Sequence, residues 1–130
     1  VYPDREAALG RFRLQPPQSC ENAYILEYIA RHSLMPVEGG GWAWKFDEDL
    51  LTSLVGADRQ QEDYENLRLT LGLIYGADSE LFTACSEQYM RSLVPQDFPA
   101  VALPDSQHHL FLDQPEAFVR ALKDMLDQLA

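Results

Sequence analysis

"HHLFLDQPEAFVRALKDML", residues 108–126, sets two of the chain's three histidines side by side, seven and six positions before a proline. Behind Pro115, Phe118, Leu122, Met125 and Leu129 recur on one face of a 3.6-residue period. Proline is tolerated in a first helical turn, where its missing N–H would have no intrahelical partner. The stretch therefore predicts a final helix opening at Pro115. Ahead of the histidines, "FPAVALP" (residues 98–104) is a short apolar run and a strand candidate, and "DSQHHLFLD" (residues 105–113) reads as a loop. Two imidazoles between a strand and a helix have two readings. They cap and pack, or one of them moves protons, since histidine titrates near neutral pH.

Upstream, "LRLTLGLIYG" (residues 67–76) is a second apolar run, closed by a glycine, and fits a buried strand. "ADSELF" then starts a helix, with Phe82, Cys85, Tyr89 and Leu93 on one face and Pro95 as its stop. The second half thus reads strand, helix, strand, helix, a pattern that argues for a parallel sheet covered by helices. In the first half, Pro3 and Asp4 start a short helix through about Phe12, and "LQPPQS" stops it. Ile25, Tyr28, Ile29 and His32 share a face of a helix running to about Leu34. After a glycine run, Trp42, Trp44 and Phe46 alternate with Ala43 and Lys45, a period of two that predicts an extended segment. Asp47 suits the N-cap of a helix over "EDLLTSLV", and residues 56–66 read as a polar linker. No clear strand is evident in this half.

Composition narrows the function classes. A chain of 130 residues with 46% hydrophobic and 24% charged residues supports one ordinary core. Its 21 acids against 10 bases give a net charge of -11, which repels phosphate backbones and anionic lipid, so neither nucleic acid nor a membrane is expected as partner. No apolar run approaches the roughly 20 residues of a bilayer span, and no secretory pattern opens the chain. Cys20 and Cys85 form no C-x-x-C arrangement, so a reducing cytoplasm is the expected location. The aromatic stripe Trp42, Trp44, Phe46 has only Lys45 among it, which suits core or pocket wall better than a base-stacking platform. His108 and His109 with Asp113 could suggest a metal site, but a complete ligand set is not evident, so no metal is expected, and nothing implies a cofactor. The opening Val1-Tyr2-Pro3, without methionine, suggests a processed chain or a fragment of a longer protein.

Chemistry in parallel sheets collects in loops at the carboxyl ends of strands. Two such loops are available here. "GADSE" (residues 76–80) offers carboxylates and "DSQHH" (residues 105–109) offers imidazole. If their strands are neighbours, an acid can fix the tautomer of a histidine and stabilise its charged form.

At this point "HHLFLDQPEAFVRAL" resembles the C-terminal signature of the α/β-hydrolase superfamily, in which a histidine follows the last strand and an acidic residue and proline open the final helix. "LGLIYGADSELF" resembles the preceding strand and the turn that commonly carries the triad acid, while "RFRLQPPQ" and "GWAWKFD" resemble the cap region of one bacterial group of these hydrolases. The resemblance implies an α/β fold: a mostly helical cap over residues 1–66, then residues 67–130 as the C-terminal part of the hydrolase core. It implies that the catalytic histidine stands seven positions before the helix-opening proline, which is His108, with His109 facing the cap or core. The common turn pattern is G-x-x-D, but Ser79 holds the acid position. Asp78 is the first choice, Asp47 the second and Glu80 the third. Trp42, Trp44, Phe46 and His109 would wall the substrate pocket.

One departure is larger. The nucleophile of this superfamily sits in G-x-S-x-G, and no serine here has those flanking glycines. The expectation is therefore a C-terminal part of a serine hydrolase acting on an ester or a related acyl or carbon–carbon bond of a small molecule. It would need the N-terminal half of the fold as partner and be inactive alone. The rival expectation is a non-catalytic, hydrolase-like binding or interaction module.

Overall fold

The computed structural model describes residues 1–46, 49 and 60–130, and Asp47 and most of the helix expected after it lie outside them. The chain divides into two compact units, Val1–Gly56 and Ala57–Ala130.

The first unit begins with helix α1 (Arg5–Leu9), capped by the Asp4 carboxylate, which accepts a hydrogen bond from the Ala7 amide. The cap satisfies one of the amides that a helix start leaves unbonded. The helix ends at Gly10, short of the expected Phe12. Helix α2 (Ala23–His32) follows the proline segment. Its buried side is turned from the expected one. Ile25, Leu26, Ile29 and Ala30 face inward, while Tyr28 is 64% exposed and stacks on the exposed His32 with ring centroids 4.2 Å apart. An amphipathic tyrosine–histidine pair is stable at a surface, so the face that Tyr28 and His32 share with Ile25 and Ile29 is not the buried one.

The first half also holds a strand that periodicity missed. Strand β1 (Leu34–Pro36) pairs antiparallel with β2 (Trp42–Trp44), joined through Gly39, Gly40 and Gly41, all at positive φ. A Cβ on Gly41 would sit 2.7 Å from the Tyr2 carbonyl oxygen, so the turn needs glycine for space as well as backbone freedom. Three residues ending in proline gave β1 too little pattern to read. The alternation at Trp42 and Trp44 does correspond to a strand, and Tyr2 adds an antiparallel bridge to Trp42.

The second unit opens with helix α3 (Gln60–Glu65), inside the stretch read as linker. Strand β3 (Leu73–Gly76) is shorter than the apolar run suggested. It pairs in parallel with β4 (Ala100–Leu103), in the register Leu73–Ala100 through Gly76–Leu103. Helix α4 (Ala84–Leu93) crosses between them and starts later than expected. Two nested turns hold the chain out of helix until then. The Ser79 amide donates to the Gly76 carbonyl at 3.1 Å, and the Ser79 hydroxyl accepts from the Phe82 amide at 3.2 Å. A capping box between Thr83 and Ser86 then begins α4. Its expected apolar face is also displaced, since Cys85 is exposed and Tyr89 is 60% exposed. The inward side carries Glu87, Met90 and Arg91.

The expected loop after β4 contains a single helical turn, α5 (Leu110–Asp113), and α6 (Pro115–Leu129) begins at its proline as expected. Met125 is buried, and Gly72 admits it to the sheet: a Cβ there would overlap the Met125 sulfur. Leu112, Phe98, Leu103 and Met125 form much of this unit's core. Among the described residues, no helix is long and apolar enough to cross a membrane.

Candidate active site

Parallel pairing of β3 and β4 sends both chains out of the sheet at the same end. The ladder continues past the strands. The Ala77 amide donates to the Leu103 carbonyl at 2.8 Å, and the Asp78 amide to the Ser106 carbonyl at 2.9 Å. The two loops singled out in the sequence are therefore hydrogen-bonded to one another through their backbones.

Gly76 makes this approach possible. A Cβ there would overlap the carbonyl oxygens of Ser106 and Gln107 and come within 2.8 Å of the Gln107 carbonyl carbon. Those are backbone atoms, which cannot swing aside as a side chain would. Ser106, 1% exposed, lies beneath the crossing with its hydroxyl donating to the Pro104 carbonyl at 3.0 Å. Asp105 adopts φ 52°, a left-handed turn that Asp tolerates better than most residues. From the far side, the Asp113 carboxylate accepts a hydrogen bond from the Gln107 amide at 2.7 Å. Asp113, the last residue of α5, is thus tied to the residue before His108. The signal for it was present, as the acid five positions after His108, but it was read for its place in a motif and not for its bond.

His108 is exposed and His109 half-buried, with ring centroids 5.2 Å apart and planes at 80°. His109 also meets the Phe111 ring edge-on at 6.3 Å. Asp78 and Glu80 are exposed at the turn after β3. Among the described residues, no hydrogen bond joins His108 to either carboxylate. Ser79, in the position where the family pattern has its acid, is buried and spends its hydroxyl on the Phe82 amide. Asp47 lies outside the described residues. No group of three or more His, Cys, Asp or Glu side chains among the described residues is placed to hold a metal ion.

The aromatic stripe belongs to the first unit. Trp44 and Phe46 line a cleft of about 890 Å3 there, together with Arg11, Phe12, Arg13 and Lys45. Trp44 is held by an edge-on contact with Tyr2 and a tilted contact with Phe12, and its Nε1 donates to the Tyr2 hydroxyl at 3.3 Å. Trp42 has a different setting, with the Arg5 guanidinium 5.4 Å above its ring. Arg11, Phe12 and Arg13, part of the cap-like motif in the sequence, stand on the cleft wall, which local spacing does not reveal.

No protein-family model matches the chain, and no curated protein matches it. Solved structures do. A structure of an esterase from Mycobacterium tuberculosis superposes with a TM-score of 0.76 at 20% identity, covering 97% of this chain and 43% of that one. Another structure of the M. tuberculosis esterase gives a TM-score of 0.77, also at 20% identity, over 97% of this chain and 42% of that one. E-2-(acetamidomethylene)succinate hydrolase gives 0.73 at 21% identity, over 98% and 47%. The chain spans less than half the length of these structures. At such identities the likeness is one of fold, and it agrees with the crossover from β3 through α4 to the parallel β4. What these 130 residues form is a partial α/β-hydrolase fold.

Proposed function

We propose that this chain is the C-terminal part of a serine hydrolase that acts on an ester, or a related acyl or carbon–carbon bond, of a small molecule in the cytoplasm. The nucleophilic serine comes from the N-terminal half of the fold, outside these 130 residues. His108 accepts its proton as it attacks and returns that proton to the leaving group. A carboxylate orients His108 and stabilises its charged form. Asp78 is the first choice, ahead of Asp47 and Glu80, because its own amide is bonded to the loop that leads to His108. Trp44 and Phe46 wall the substrate pocket. The observation that carries this reading is the backbone tie between the two loops at one end of a parallel strand pair.

The test uses the complete gene product and p-nitrophenyl acetate. His108→Ala should lower turnover by several orders of magnitude, roughly the loss expected for a triad member. His109→Ala should act mildly, through packing. Reversed effects would overturn the assignment. Among Asp78→Asn, Asp47→Asn and Glu80→Gln, one change should cost far more than the others. Three small and similar losses would remove all three from the mechanism. One observation favours the rival binding-module reading: Ser79 occupies the acid position and is committed to a local turn. An inactive complete gene product would make that reading the better one.

A further inference from the structure

The cleft in the first unit has a charge pattern opposite to that of the chain. The whole sequence carries 21 acids and 10 bases. Three of those bases, Arg11, Arg13 and Lys45, line this one cleft, and no Asp or Glu stands among its described lining residues. A surface with net charge -11 repels anions in general, so anion binding on it requires a local cluster of cations. The same wall carries the aromatic rings of Phe12, Trp44 and Phe46, beside polar Gln15, His32 and Ser33. Phe12 and Trp44 hold one another with ring centroids 5.7 Å apart, which fixes one apolar face. The volume, about 890 Å3, lies within the range of small-molecule sites.

Arg13 is positioned rather than adrift. Its Nη1 donates to the Gly10 and Phe12 carbonyls at 3.2 and 2.5 Å. The guanidinium is thereby anchored by one nitrogen, and among the described residues Nη2 and Nε have no hydrogen-bond partner. A planar fork held in this way suits a carboxylate, which can accept two parallel N–H bonds. The aromatic wall suits the body of the same molecule.

We infer that this cleft binds a small organic carboxylate with an aromatic or acyl body, the anion at Arg11, Arg13 and Lys45 and the apolar body against Phe12, Trp44 and Phe46. The inference deepens the proposed reading of Trp44 and Phe46 as pocket wall by naming the ligand class, and its test reads binding and not turnover. A failed His108→Ala experiment would bear on the reaction and leave this comparison intact.

Calorimetric titration of the complete gene product with 4-phenylbutyrate and with 4-phenylbutanamide separates charge from apolar contact. The acid should bind at least about tenfold more tightly than the amide at low ionic strength. The gap should narrow in about 0.5 M salt, because exposed charge pairs are screened. Arg11→Gln combined with Arg13→Gln should close the gap and leave amide binding unchanged. Both arginines are exposed, so the double variant should keep its fold, which circular dichroism checks. Phe46→Ala should weaken both ligands alike. Equal binding of acid and amide, no binding of either, or a folded double variant that keeps the preference would each overturn the inference.

Discussion

Gly76→Ala tests whether the two loops at the end of the parallel pair are held as the geometry requires. By conformational preference alone, replacing a strand glycine with alanine stabilises a protein by about 0.4–1 kcal/mol, since alanine loses less freedom on folding. Sterics oppose this. The new methyl would overlap the Ser106 and Gln107 carbonyl oxygens. Those atoms have little room to retreat. Ser106 is buried and bonded to Pro104, and the Gln107 amide is held by Asp113. Forcing an added carbon into a packed site costs about 1–3 kcal/mol. Pushing the loop away also breaks the hydrogen bond from Asp78 to Ser106, about 0.5–1.5 kcal/mol more. The net expectation is a loss of about 2 kcal/mol, within a range of about 0.5–4 kcal/mol and opposite in sign to the propensity argument. Gly72→Ala is the natural control. Its methyl would meet the ends of Met125 and Leu129, flexible side chains that can move, so its loss should stay below about 1.5 kcal/mol. Urea unfolding followed by far-ultraviolet circular dichroism gives both values. A Gly76→Ala protein within about 0.5 kcal/mol of the parent, or more stable than it, would refute the close crossing of the loops.

Two further outcomes rest on specific bonds. Asp113→Ala should lose about 1.5–3 kcal/mol, the range for a hydrogen bond to a charged group, and should raise amide exchange at Gln107 beside His108, which hydrogen exchange reads directly. The Tyr75–Glu87–Arg91 network should give stability a pH dependence at both extremes. The Glu87 carboxyl is held below its ordinary value of 4.5, first by the hydrogen bond from Arg91 and then by that from Tyr75, each 2.8 Å long. Its contribution is complete above that ordinary value and is lost as pH falls through the lower native one. Tyr75 is raised above its ordinary 10.0, chiefly by its bond to Glu87, so its contribution is complete below that value and lost as pH rises through the native one. The difference in urea midpoint between the parent and Glu87→Gln should therefore be greatest near neutral pH and shrink below about pH 4. A difference that stays constant across this range would show that the network contributes nothing through charge.

The parallel pair was legible because its signals are local and strong. Apolar runs at residues 67–76 and 98–104, each followed by a turn, could be read as strands without knowing their partners. Pro115 marked the start of α6 for the same reason, since the cost of proline elsewhere in a helix leaves few places for it. Legibility failed where a tertiary partner, and not the local pattern, sets the structure. Strand β1 is three residues long and exists because β2 and the glycine turn pair with it. Helix α4 faces inward with Glu87 and Arg91, because Tyr75, Asp97 and the Phe98 carbonyl satisfy them. A rule that turns charged residues outward cannot anticipate such partners.

The candidate site shows the same division at finer scale. The spacing of His108 to Pro115 was visible because it is counted along the chain. The acid cannot be counted in that way. Which carboxylate comes near an imidazole depends on how the turn after β3 is wound, and that turn is wound by Ser79. Its buried hydroxyl accepts from the Phe82 amide, and its own amide donates to Gly76. Asp in that position would present a charge where a buried neutral acceptor now sits, and a buried charge without a partner is costly. The serine therefore stabilises the turn and leaves the carboxylates of Asp78 and Glu80 on either side of it, both exposed. Asp78 is distinguished from Glu80 by its backbone, since its amide is bonded to Ser106 and its position is fixed relative to the loop that carries His108. A side chain anchored by its own main chain has less freedom to lose on orienting a histidine than one without such an anchor. In the proposed mechanism, that physical difference favours Asp78 over Glu80.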